Sequence, residues 1–144
     1  MIIVTTRHGV NEGGWTIDYA PGTYDPDWPE YGPVDFQTAN HETRNHDRFR
    51  IPLNKWIYIV ATYNGDGGRR CIYLNGKLAR NCTTNRPYED NNKKLYVGTF
   101  IQGGVHQYPT SGRYDDIRIY NSALSSEKIE KIYAETKHKY RVEK

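Results

Sequence analysis

The sequence predicts an all-β fold, an antiparallel two-sheet β-sandwich, with one short helix near the C-terminus. Three observations predict it. The 144 residues include 13 Tyr, 3 Trp and 3 Phe, and aromatic side chains favour pleated, half-buried surfaces over helices. Turn residues interrupt the chain at short intervals, with no repeat, heptad or low-complexity tract, as in a sandwich of many short strands. Only the segment after Leu124 carries helix signals. A chain this short fits one hydrophobic core, so residues 1–136 read as one domain and 137–144 as a basic tail.

Taken in order, strands are expected at about Ile2–Thr6, Trp15–Ala20, Val34–Thr38, Phe49–Ile51, Trp56–Tyr63, Arg70–Leu74, Lys77–Cys82, Lys94–Phe100 and Arg113–Asn121. The run from Trp56 to Tyr63 is apolar on both alternating faces, with Ile57, Ile59 and Ala61 on one and Trp56, Tyr58 and Val60 on the other. Both faces must then be covered. This predicts a central strand, buried by the opposing sheet on one side and by loops on the other. The helix follows from Ser125 or Ser126 as N-cap, Glu127 in the first turn, and Ile129, Ile132 and Tyr133 on one stripe. Lys128, Glu130, Lys131 and Glu135 form its wet face.

Cys71 and Cys82 flank Asn75-Gly76, the strongest short hairpin signal. A two-residue loop there sets Cys71 opposite Arg80, and leaves Cys82 one diagonal step away at roughly 7–8 Å, beyond comfortable disulfide reach. A bulge or a recentred turn would bring the two opposite. A disulfide and two free buried thiols both remain open, and a disulfide would imply an oxidising, extracellular setting.

The net charge of +3 sits largely in the tail, while acids and bases alternate through the body. That argues against the basic stripe nucleic-acid binding needs. No run approaches the roughly 20 apolar residues that cross a bilayer, and Met1-Ile2-Ile3-Val4 breaks too soon for a signal peptide. A soluble chain without membrane insertion is expected.

Four blocks carry a family likeness. Lys55-Trp56-Ile57-Tyr58-Ile59-Val60-Ala61-Thr62-Tyr63-Asn64-Gly65, Cys71-Ile72-Tyr73-Leu74-Asn75-Gly76-Lys77-Leu78 and Leu95-Tyr96-Val97-Gly98 resemble three consecutive strands of laminin-G-like, concanavalin A-like jelly-roll domains. Gly112-Arg113-Tyr114-Asp115-Asp116-Ile117-Arg118-Ile119-Tyr120 is similar to the last strand of that family, leading into the helix. The resemblance spans roughly Ile2 to Tyr133 and begins late, without the strands such domains carry earlier. It implies an open sheet edge, which invites pairing with another chain. A neighbouring subunit, an upstream segment or the tail Lys139–Glu143 is expected to fill it. Asp115 and Asp116 are expected to accept hydrogen bonds from loop amides.

The segment from Tyr19 to Phe36 is the most informative loop. It gathers Tyr24, Trp28 and Tyr31 with Asp25, Asp27 and Glu30, and prolines stiffen it. A rigid aromatic platform beside carboxylates matches the C–H faces and hydroxyl edges of a sugar. The competing reading is that these aromatics only cover the sheet face carrying Trp56 and Tyr58. The loops Tyr24–Phe36, Asn40–Asp47 and Gly103–Tyr108 are expected at one sheet face. Tyr24, Asp25, Asp27, Trp28, Tyr31, Asn40 and His106 are then the candidate ligand-binding residues.

Calcium, which needs six to eight oxygens, would draw on Asp25, Asp27, Glu30 and Asp35, although no fixed ligand spacing appears and solvated acids explain these residues as well. His8, His41, His46, His106 and His138 show no zinc spacing. Asp115 and Asp116, adjacent on a strand, would face opposite sides and could not flank one glycosidic bond. No nucleophile elbow is present. No catalytic residues are assigned.

The expected function is therefore a non-catalytic, lectin-like carbohydrate-binding module with a glycan as partner, at an extracellular, cell or virion surface. The alternative is a structural or assembly protein of a surface, appendage or particle, joined through the open sheet edge.

Overall fold

A computed structural model describes residues 2–6, 13–19, 31–38, 47–86, 88, 90, 92–107 and 112–140. Its larger sheet has five antiparallel strands in the order β4 (Asp47–Pro52), β3 (Tyr31–Gln37), β2 (Thr16–Tyr19), β1 (Ile2–Thr5), β8 (Tyr96–Val97). A second sheet has three, β5 (Ile59–Asn64), β6 (Arg69–Leu74) and β7 (Lys77–Leu78). β9 (Phe100–Gln102) and β10 (Val105–Gln107) form a separate two-stranded hairpin.

The two main sheets close on one core. Val34, Phe36 and Phe49 of the larger sheet meet Ile72 of the smaller, with Ile3, Trp15, Ile17, Ile51, Ile59, Ala61 and Leu74 packed around them. The period-two alternation of β3 and β6 produces this directly, since every second residue points inward. Arg70 also faces inward. Its guanidinium lies 5.6 Å from the centre of the Phe36 ring, and its Nη1 donates to the Thr38 hydroxyl at 3.2 Å.

The other face of the smaller sheet is covered by the helix α1 (Ser126–Thr136). Cys71, Tyr73 and Ile129 are buried together there, with Tyr58, Val60, Cys82 and Leu124 beside them. Ser125 is the N-cap, its hydroxyl accepting from the Lys128 amide at 3.3 Å, which satisfies one of the donors a helix start leaves free. Tyr133 stacks on Tyr58 with ring centroids 5.9 Å apart. The wet face is as expected, with Lys131 and Glu135 4.0 Å apart. No described helix is long and apolar enough to cross a membrane.

Several expectations are corrected. The strand expected from Trp56 begins at Ile59 and pairs only with β6 among the described strands, so it stands at the edge of the sheet that these strands form, where a central strand was expected. The reason is the turn: the Asn75 amide donates to the Tyr58 carbonyl at 2.9 Å and its side-chain carbonyl accepts from the Tyr58 amide at 3.1 Å. β6 reverses at that point, so its ladder cannot extend back to Trp56 and Ile57. The two faces of the run are as expected, Ile59 and Ala61 toward the larger sheet and Tyr58 and Val60 toward the outside. The outside cover is the helix, however, rather than loops.

The strand expected at Arg113–Asn121 does not form; the stretch is exposed and irregular, and Asp116 has φ 53°. Asp115 and Asp116 therefore do not alternate across a ladder. Asp115 does accept a hydrogen bond, from the Asp116 amide at 2.7 Å. The expected loop after Gly103 is instead the hairpin β9–β10, with His106 inside its second strand.

The cysteines are bonded, Cys71 to Cys82, with Cα atoms 4.4 Å apart. Asn75 and Gly76 have φ 50° and 81°, the pattern of the expected tight hairpin turn. After Tyr73↔Leu78 the register slips: the ladder resumes at Arg70↔Thr83, two residues out of step with the turn. That slip sets Cys82 opposite Cys71, where an unbroken ladder would have placed Arg80.

Candidate functional site

The outer face of the five-stranded sheet is polar, and strand alternation makes it so. Ile17 and Phe36 point into the core, hence their neighbours Thr16, Asp18, Asp35 and Gln37 point away from it. Pairing then arranges these groups in rows: Tyr96, Thr5, Thr16 and Gln37 lie across the sheet in one, Asp18 and Asp35 in the next.

The rows are internally bonded. The Thr5 hydroxyl donates to the Trp15 carbonyl at 3.1 Å, the Thr16 hydroxyl to the Val4 carbonyl at 3.5 Å, and the Gln37 amide to the Asp18 carboxylate at 3.5 Å. Thr5, Thr16, Asp35 and Gln37 are buried, while Asp18 and Tyr96 are half-buried. The centre of this face is thus covered and its rim is open. At the rim Tyr31, at the start of β3 and on the same face as Asp35 and Gln37, is 41% exposed, and Arg50 on β4 is exposed.

Of the expected binding residues, Tyr31 and His106 fall among the described residues. Tyr31 stands on β3; His106 is exposed on β10, whose hairpin forms no ladder with either main sheet among the described residues. Two strands, β2 and β1, separate β3 from the β8 edge that leads to the hairpin. Nothing described joins the two side chains. Tyr24, Asp25, Asp27, Trp28 and Asn40 lie outside the described residues, as do His8, His41 and His46.

Of the expected calcium set, Asp35 falls among the described residues. Asp25, Asp27 and Glu30 lie outside the described residues, but Asp35 is 2% exposed in the middle of β3, its register partners being Asp18 and Arg48. Among the described residues no group of three or more His, Cys, Asp or Glu side chains comes together.

The sequence reading missed Thr5, Thr16, Asp18, Gln37 and Arg50. The signal was present in Thr16-Ile17-Asp18 and Asp35-Phe36-Gln37, polar residues at alternate positions around an apolar one. What a linear pattern lacks is the pairing that makes Asp18 and Asp35 neighbours.

The family model described as the concanavalin A-like lectin/glucanases superfamily matches residues 2–130. No curated protein matches the chain. Among solved structures, an S-layer domain-containing protein from Clostridium thermocellum (residues 221–444) is similar at 16% identity with a TM-score of 0.47, covering 92% of this chain and 61% of that one. The chain therefore spans under two thirds of that structure's length.

Proposed function

We propose that this chain, which belongs to the concanavalin A-like lectin/glucanases superfamily, is a non-catalytic carbohydrate-binding module whose site lies along the open rim of the five-stranded sheet. The observation that carries this reading is Tyr31. It is exposed at the rim, it directly follows the segment holding Tyr24, Asp25, Asp27 and Trp28, and it shares its sheet face with the half-buried Asp18 and the exposed Arg50. An aromatic ring gives a sugar's C–H face something to stack on, and nearby carboxylates and guanidinium groups take its hydroxyls. Arg50 is the rim donor.

The non-catalytic part of the proposal rests on access. A glycosidase needs two carboxylates flanking the scissile bond, one as acid and one as base or nucleophile. Asp18 and Asp35 are adjacent in register, with Cβ atoms about 4.5–5.5 Å apart, but the near-complete burial of Asp35 keeps it from substrate. The Cys71–Cys82 bond supports an extracellular or surface location, because disulfides persist in oxidising compartments.

The test is glycan-array binding followed by calorimetry, with and without calcium. Wild type is expected to bind a glycan class, and Tyr31→Ala or Trp28→Ala to weaken it about tenfold or more, equivalent to roughly 1.4 kcal/mol, with circular dichroism unchanged. Loss of calcium dependence in Asp25→Asn or Asp27→Asn, and its survival in Asp35→Asn, would locate the ion in the loop. No binding to any glycan, or binding indifferent to both aromatic substitutions, would overturn the proposal.

A further inference from the structure

The stretch Arg113-Tyr114-Asp115-Asp116-Ile117-Arg118-Ile119-Tyr120 has the composition of a strand without the structure of one. Tyr and Ile at four of its positions favour a pleated ladder, yet Ile117 is 50% and Ile119 60% exposed. Tyr114 and Tyr120 are exposed as well. The Asp116 amide turns to the Asp115 carboxylate rather than to a neighbouring strand. Asp116 also sits in the left-handed region at φ 53°, which a non-glycine residue adopts only at a cost. Its carboxylate is gripped by Arg118, Nε at 2.7 Å and Nη2 at 2.9 Å.

We infer that this stretch is a self-complementary strand through which two copies of the chain pair antiparallel, about a two-fold axis at Ile117. A two-fold axis normal to an antiparallel ribbon keeps each residue on its own face, so the register must be centred on a residue. Centring on Asp116 or on Arg118 places like charges against each other on the axis, which is destabilising. Centring on Ile117 places Ile117 against its own copy, Tyr114 against Tyr120, and Asp116 against Arg118 on both sides of the axis. Every exposed apolar residue then gains an apolar or neutral neighbour except Ile119, which faces Asp115. The Asp116–Arg118 pair is exchanged for a four-charge cluster in the same chemistry. Asp116 leaves the left-handed region for the extended one, as strand pairing requires.

The segment's position permits it. It runs into Leu124 and α1, which cover the outer face of the smaller sheet, and the Tyr114 ring lies within van der Waals reach of Gly98, just beyond β8. Among the described strands β5 pairs with β6 alone, which leaves its other side as an edge of the smaller sheet. A strand added at such an edge is the usual mode of backbone-mediated association. The occupant that the charges and apolar residues fit is this same stretch in a second copy, an isologous contact.

The experiment is sedimentation of the full chain over a concentration series. The wild type is expected to show a reversible monomer–dimer equilibrium. Asp116→Arg and Arg118→Asp should each weaken dimerisation roughly tenfold or more, since each opposes like charges twice. An equimolar mixture of the two variants should form a heterodimer, because one copy then presents two guanidinium groups across the axis from two carboxylates of the other. Ile117→Lys, which sets two ammonium groups on the axis, should remain monomeric. Unchanged melting of all three variants shows that the exposed stretch was altered without unfolding the domain. A wild type that stays monomeric throughout overturns the inference. So does a dimer that survives the single charge reversals, or a mixture that fails to associate.

Discussion

Ile129→Ala tests whether the helix is an integral third layer or a loosely attached end. Ile129 is 0% exposed and is buried with Cys71 and Tyr73, with Tyr58, Val60, Cys82 and Leu124 around it. The substitution removes three carbons, worth about 0.8 kcal/mol each in transfer, roughly 2.4 kcal/mol together. A cavity term adds to this because the site cannot fully collapse. One wall is a hydrogen-bonded sheet cross-linked by the Cys71–Cys82 bond, so relaxation is limited and a total of about 3–4 kcal/mol is expected. For a domain of this size that corresponds to a fall in Tm of roughly 12–16 °C, at about 4 °C per kcal/mol. Urea denaturation followed by far-UV circular dichroism measures it, with the slope unchanged if the unfolded state is unaffected. Val105→Ala, at a residue 58% exposed, is the control and should stay within about 0.5 kcal/mol. An Ile129→Ala loss below about 1 kcal/mol, or one no larger than the control, would refute the three-layer packing.

Three further outcomes are expected. Gly68→Ala should cost at least about 2 kcal/mol, because Gly68 has φ +56° and an added Cβ would run into the Arg86 carbonyl oxygen, combining left-handed strain with a backbone clash. Gly65→Ala, at φ −60° with open space around its Cβ, should be neutral or slightly stabilising; equal melting temperatures for the two variants would contradict this account. Glu127 is held below the usual carboxylate range by hydrogen bonding at its own backbone amide and then by the Ser125 hydroxyl. A depressed folded pKa means that its stabilisation is present above the unfolded value of 4.5 and is lost as pH falls through the folded value. Glu127→Gln should therefore melt lower than wild type at neutral pH and converge with it in acid, and a difference that persists unchanged into acid would count against the capping interaction.

Local signals determined much of this protein. Asn75-Gly76 specified a tight turn because both positions need positive φ. Ser125 with Ile129 and Ile132 specified a capped, one-sided helix, and the alternation running from Tyr58 into β5 sorted Ile59 and Ala61 from Tyr58 and Val60. Each depends on residues a few positions apart, where chain geometry is already set. The candidate site was legible only in part: Tyr31 was singled out and Asp35 fell within the strand expected from Val34, but the cross-strand neighbours of Asp35 were not visible.

Contacts between residues far apart in sequence came from the folded chain alone. The two-residue slip after Tyr73 placed Cys82, rather than Arg80, opposite Cys71. The pairing of β2 with β3 made neighbours of Asp18 and Asp35 and gathered a polar face from residues as distant as Thr5 and Gln37. The strand-like composition of Arg113–Tyr120 did not become a strand, because a ladder needs a partner and none of the described strands supplies one. Side-chain pattern acts within a segment, but register and sheet order are set by which backbones meet, and that is a property of the whole fold.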